Sequence, residues 1–319
     1  MIHAQQTFAQ PIVFFRLDAS LPQLLQSPAL ANLRAFRFRL PVRPVVRTLK
    51  AYPISLPSLD IVDFGTSFVP DADVDGLLGR LTNVKHLVLD DCGLIRGEFR
   101  EGAWAALAKA CALAGVTKAR EREKRLKIWL DTLGGVLPKI KQKPRKKKKG
   151  RSGLATANVS LRKKDSDPSI VPPTLEIPME EARKTRILPP LPTLQSLCTT
   201  IYMTDEEDRR EQIQTEWARG WAEGVAQLAR KWKMLYQSSQ HGYRIVENSE
   251  DVDMNVNPEQ AEEGFNGLED IDLEENMWKF DLLDLVKTPI LCVVGPADIR
   301  QHEEGCGHRV SSAYWNARL

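Results

Sequence analysis

With 319 residues, 42% apolar and 27% charged, the chain can bury one large domain or two ordinary ones, and no apolar run reaches the roughly 18 residues that a membrane helix needs. The net charge of +3 averages two opposed blocks, basic from Lys139 to Lys164 and acidic from Glu247 to Asp284. Five cysteines, odd in number and mostly flanked by apolar residues, point to buried reduced thiols rather than a disulfide framework. No export signal opens the chain, so the expected location is nuclear or cytoplasmic, away from membranes.

In chain order, the first apolar frames are Ile12-x-x-Phe15-x-Leu17-x-x-Ser20 and, 21 positions later, Leu33-x-x-Phe36-x-Phe38, which then departs at Pro41 and Arg43. Leu59-x-x-Val62-x-Phe64-x-x-Ser67-x-Val69 follows 26 positions on, and Val84-x-x-Leu87-x-Leu89-x-x-Cys92-x-Leu94 a further 25. The last fits the leucine-rich-repeat frame L-x-x-L-x-L-x-x-N/C-x-L at every defined position, and the spacing falls within that repeat's usual 20–29 residues. In such a frame Leu87 and Leu89 face inward from a short strand, and Cys92 and Leu94 turn the chain into the core of a coil. A fifth echo, Leu191-x-x-Leu194-x-x-Leu197, comes after an interruption of about 110 residues. If the frames are repeats, strands at 36–38, 62–64 and 87–89 lie parallel; otherwise they are scattered strands of another α/β domain.

From Gly102 to Leu133 the periodicity predicts one long helix, with Trp104, Leu107 and Cys111 on its buried side and Gly134–Gly135 ending it. Residues 138–186 lack periodicity and read as a disordered basic insert. Thr204 to Glu207 forms a capping box opening a second long helix to about Ser238. Its Trp217, Trp221 and Trp232 are expected to pack into the core, and Gly220 and Gly224 to admit another backbone closely. A strand over 243–246, an acidic disordered loop to 286, a strand over 290–294 and a Gly-Cys-Gly-His turn complete the chain. The expected units are thus 1–137, 138–186, 187–246, 247–286 and 287–319.

Few constellations carry chemistry. No phosphate loop, dinucleotide fingerprint, metalloprotease helix or nucleophile elbow appears, so the chain is read as a non-enzyme without a cofactor. His302, Cys306 and His308 have a spacing compatible with three ligands on one zinc ion. No second ligand pair accompanies them, so the reading is a packed glycine-rich turn with no metal, this trio being the alternative. Lys143, Arg145, Lys146, Lys147, Lys148, Lys149 and Arg151 form a tract dense enough for a nuclear import receptor or for nucleic acid. Without interleaved aromatics, any nucleic-acid contact would be nonspecific and to phosphates.

The segments from Leu81 to Leu94 and Trp104 to Leu130, with Cys111 to Gly115, Arg120 to Lys124, Ile187 to Leu194, Trp217 to Gly224 and Gly305 to His308, resemble those of uncharacterised leucine-rich-repeat proteins of basidiomycete fungi. More distantly the chain is similar to the F-box/leucine-rich-repeat class, whose repeats hold a substrate, although no F-box pattern precedes Ile12. The resemblance implies a protein-interaction module; the alternative, resting on the lysine-rich insert, is a nuclear nucleic-acid-associated protein. The expected architecture is an α/β, short irregular solenoid with a basic insert and a C-terminal α/β extension. Its expected binding surface is the outward strand face, lined by Arg34, Arg37, Asp60, Asp63, Lys85, His86, Val88 and Asp90.

Overall fold

The computed structural model describes residues 32–41, 58–94, 101–136, 184–200, 207–248, 265–276, 278–293 and 302–316, with positions 27, 30 and 46. The frame beginning at Ile12, the Lys143–Arg151 tract and most of the capping box lie outside the described residues.

Five three-residue strands, β1 (Ala35–Arg37), β2 (Ile61–Asp63), β3 (His86–Val88), β5 (Ser196–Cys198) and β8 (Ile290–Cys292), form one parallel sheet in that spatial order. Phe36, Val62, Leu87, Leu197 and Leu291 stand in register across it. The expected parallel stacking is found, one residue earlier in each strand than the frames suggested. The fifth echo pairs directly with the frame at Val84, β5 taking the position next to β3 in the sheet.

The excursions carry the helices. After β2 comes α1 (Asp71–Arg80), which sets Asp71 and Asp73 at the positive end of its dipole and Arg80 at the other, and buries Val74, Leu77 and Leu78. After β3 come α2 (Ala103–Ala112) and α3 (Ala114–Val136), where the sequence suggested one helix. The chain jogs at Leu113, bringing Gly115 so close to Pro190 that a Cβ there would meet its carbonyl oxygen at 2.9 Å. Nor do Gly134 and Gly135 stop α3, since glycine costs a helix only about 1 kcal/mol per residue.

A second sheet sets β4 (Thr185–Ile187) parallel to β6 (Arg244–Asn248) and β6 antiparallel to β7 (Leu268–Asp270). Between β4 and β6 lies the 34-residue helix α4 (Glu207–Gln240). Its Trp217 and Trp221 join the main core with Leu87, Leu197 and Trp104, while Trp232 and Leu235 join the core beneath the small sheet. The close approach foreseen at its glycines is present: a Cβ on Gly220 would lie 2.0 Å from the Ala105 carbonyl oxygen, and one on Gly224 2.6 Å from Ala112 Cβ.

Two corrections concern the C-terminal third. The acidic segment contains β7 and α5 (Trp278–Asp284), with Lys279 bonded to Glu247 at 2.8 Å and Arg244, from outside the segment, paired with Asp270, so part of its charge is neutralised. Beyond the shortened strand β8, the Gly-Cys-Gly-His turn opens helix α6 (Gly307–Asn316). No helix among the described residues is long and apolar enough to cross a membrane.

Candidate metal centre

Because side chains alternate along a strand, burying Leu87 and its row inward turns the residues on either side outward. One outward row runs Arg37, Asp63, Val88, Cys198, Cys292 across all five strands. It begins with charge and ends with sulfur. At the charged end, Asp63 is buried and accepts hydrogen bonds from Arg37 Nε at 2.8 Å, from Arg39 Nη2 at 2.7 Å and from the Gly65 amide at 3.0 Å.

Helix α6 lies crosswise over this row. Gly307 sits against Ser196, Cys198 and His86. One turn on, Ser311 Oγ accepts from Arg37 Nη2 at 3.1 Å, and the Trp315 ring lies 4.7 Å beneath the Arg37 guanidinium. The strand face is therefore not the open surface expected of it. Asp63, His86, Val88 and Asp90 are buried, and Arg37 is engaged by α6; Arg34, Lys85 and the half-exposed Asp60 remain accessible, the last two as an ion pair of 2.8 Å. The correction arises because the covering helix comes from more than 200 residues downstream, with no pattern linking it to the strands.

At the sulfur end, Cys198 and Cys292 meet Cys306 and His308. Their Sγ and Nδ1 atoms all lie within 4.8 Å of one another. Cys198 Sγ is 3.7 Å from Cys306 Sγ, and His308 Nδ1 is 3.4 Å from Cys292 Sγ and 3.8 Å from Cys306 Sγ. The far nitrogen of His308 bonds Asp90, 2.8 Å from Oδ2, and Asp90 also accepts from the Thr200 hydroxyl at 3.2 Å. His302 flanks the group, with Nδ1 3.2 Å from Cys292 Sγ and 3.3 Å from His308 Nδ1, and Nε2 buried without a hydrogen-bond partner among the described residues.

The sequence trio His302, Cys306 and His308 thus converges rather than forming a merely local turn. Two ligand candidates were missed, Cys198 and Cys292, together with the Asp90 contact. The available signal was the repeated Leu-Cys pair, Leu197–Cys198 and Leu291–Cys292. With the leucines inward, both thiols had to face outward, away from the apolar core to which dispersed cysteines are usually assigned.

Electrostatics separates these thiols from the others. Burial, helped by Asp90 and Asp63, pushes Cys92 up to about 12, and burial also pushes Cys111 up, so both remain protonated. Hydrogen bonds with Cys198 and Cys292, then with His308 and His302, outweigh burial at Cys306 and hold it well below the ordinary thiol range. Cys198 is pushed up, first by burial and then by its thiol neighbours. Burial pulls His308 down, but bonding to Asp90, Cys292 and Cys306 prevails and raises it to about 11. The group's donors, soft sulfur and imidazole nitrogen, thus face one another in a buried setting. No protein-family model matches the chain, and no curated protein or solved structure matches it either.

Proposed function

We propose that this chain is a protein-interaction module of the leucine-rich-repeat type, binding rather than catalysing. The observation that carries this reading is a ladder at the repeat's Asn/Cys slot. Ser67 Oγ donates to the Phe38 carbonyl at 3.4 Å and Cys92 Sγ to the Phe64 carbonyl at 3.0 Å, each tying one frame to the frame before it. Side-chain bonds that stitch one coil to the last are what a stack of short repeats needs, since each repeat contacts only its neighbours. Support also comes from the in-register parallel strands at spacings of 26 and 25 residues.

The surface offered to a partner is the accessible edge at the start of the strands, where Arg34, Asp60 and Lys85 present charge. A double variant, Arg34→Glu with Lys85→Glu, tests this by comparative capture from an extract of the native cells. Proteins retained by the natural chain should be lost, with the circular dichroism spectrum and melting temperature nearly unchanged. An unchanged set would overturn this placement of the surface. The lysine tract from Lys143 to Arg151 supports an additional role in nuclear import. Fused to a reporter, it should drive nuclear accumulation that replacing Lys146–Lys149 with alanine abolishes; unchanged accumulation removes that role.

A further inference from the structure

We propose that Cys198, Cys292, Cys306 and His308 bind one zinc ion, which fastens the C-terminal helix to the outward face of the parallel sheet. The first support is geometric. A tetrahedral site with Zn–S near 2.3 Å and Zn–N near 2.0–2.1 Å places its ligand atoms roughly 3.5–3.8 Å apart. The contacts of 3.7 Å between Cys198 and Cys306, 3.4 Å between Cys292 and His308 and 3.8 Å between Cys306 and His308 lie close to those edges.

The second support is Asp90. A zinc-bound histidine ordinarily gives its other ring nitrogen to a carboxylate or carbonyl, which fixes the ring's orientation. Asp90 takes that position on His308 Nε2 at 2.8 Å, leaving Nδ1 aimed at the sulfurs. Burial is the third. Cys198, Cys306 and His308 are 0%, 0% and 5% exposed, yet these polarisable, ionisable atoms gather together rather than dispersing among apolar neighbours. Three sulfurs and a nitrogen suit zinc; magnesium and calcium require oxygen.

The ion would join β5, β8 and α6, elements that no short-range pattern connects. His302 then forms a wall of the site: its Nδ1 lies 3.2 Å from Cys292 Sγ, 3.6 Å from Cys306 Sγ and 3.3 Å from His308 Nδ1, outside the four donors that all lie within 4.8 Å of one another. Arg37 engages α6 further along, at Ser311 in its middle and Trp315 near its far end, so the clamp and the Arg37–Trp315 stack hold the helix at both ends.

The test uses the full chain purified under reducing conditions. Elemental analysis should find one zinc per chain. After removal of the metal, cobalt(II) should restore one equivalent of a tetrahedral spectrum with sulfur-to-cobalt charge transfer. Cys198→Ser should lower that charge-transfer intensity per bound cobalt by about a third, as three thiolates become two, whereas His302→Ala should leave it unchanged. Asp90→Asn should weaken zinc binding about 10–100-fold without changing the spectrum. Circular dichroism of each variant separates metal loss from unfolding, and the zinc content of the natural chain stands without any variant. A reduced, folded chain that holds no stoichiometric metal and takes up no cobalt would overturn the proposal. So would iron or copper in place of zinc, or charge transfer that survives Cys198→Ser and is lost in His302→Ala.

Discussion

The two faces of the parallel sheet are organised by different physics. The inward face is a row of apolar side chains, Phe36, Val62, Leu87, Leu197 and Leu291, continuous with the tryptophans of α4 and requiring only exclusion from water. The outward face is directional, with an arginine–carboxylate group at one end, sulfur and imidazole at the other, and α6 spanning the two. Non-directional burial tolerates neighbours of any origin, whereas the outward contacts need particular partners, several of them 200 residues or more away. The inward face should therefore govern stability, and the outward face should govern which segment covers the sheet.

The largest test of that contrast is a cavity on the inward row. Leu87→Ala and Leu197→Ala, both at fully buried positions, should each cost roughly 2–5 kcal/mol in chemical denaturation. A cost below about 1 kcal/mol would show that the row is not core. Next comes the helix contact behind it. Gly220→Ala forces a methyl group against the Ala105 carbonyl and should cost about 1–3 kcal/mol through displacement of α2 from α4. On the outward face, Arg37→Gln should cost only about 1 kcal/mol, because Arg37 is more than a third exposed and Arg39 and the Gly65 amide continue to bond the buried Asp63. An effect as large as that of Leu87→Ala would erase the distinction between the faces.

The smallest effect concerns pH. Burial holds His86 below its ordinary value of 6.5, so the folded chain takes up that proton less readily than the unfolded one. Its contribution to stability is present above that value and is lost as pH falls through it. The melting temperature should fall on acidification from about pH 7 to pH 5, and His86→Gln should reduce that fall. A steeper fall in the variant would contradict this assignment.

What could be read in advance follows the same division. Phe36, Val62, Leu87 and Leu197 were found because alternation and a recurring frame record burial directly, even across the long interruption before Leu191. Trp217 and Trp221 were placed in the core by helical spacing. Cys198 and Cys292 were not found as partners of Cys306, because metal-ligand patterns are recognised by short spacings and these donors come from separate strands. Asp63, His86, Val88 and Asp90 were identified as outward but taken as solvated, since nothing in residues 307–316 states which surface that helix covers. The jog at Leu113 was missed for a related reason: its contact, Pro190, lies in another part of the chain.

The central claim, that the chain's own C-terminal segment covers the outward face while the inward core stands independently, is tested most directly by alkylation of the cysteines with mass-spectrometric readout. In the full chain all five thiols are buried and should react slowly. In a chain ending at residue 301, Cys198 and Cys292 should become reactive while Cys92 and Cys111 stay protected. If the truncation leaves Cys198 and Cys292 as slow as before, something other than α6 and its preceding turn covers that face, and the account fails.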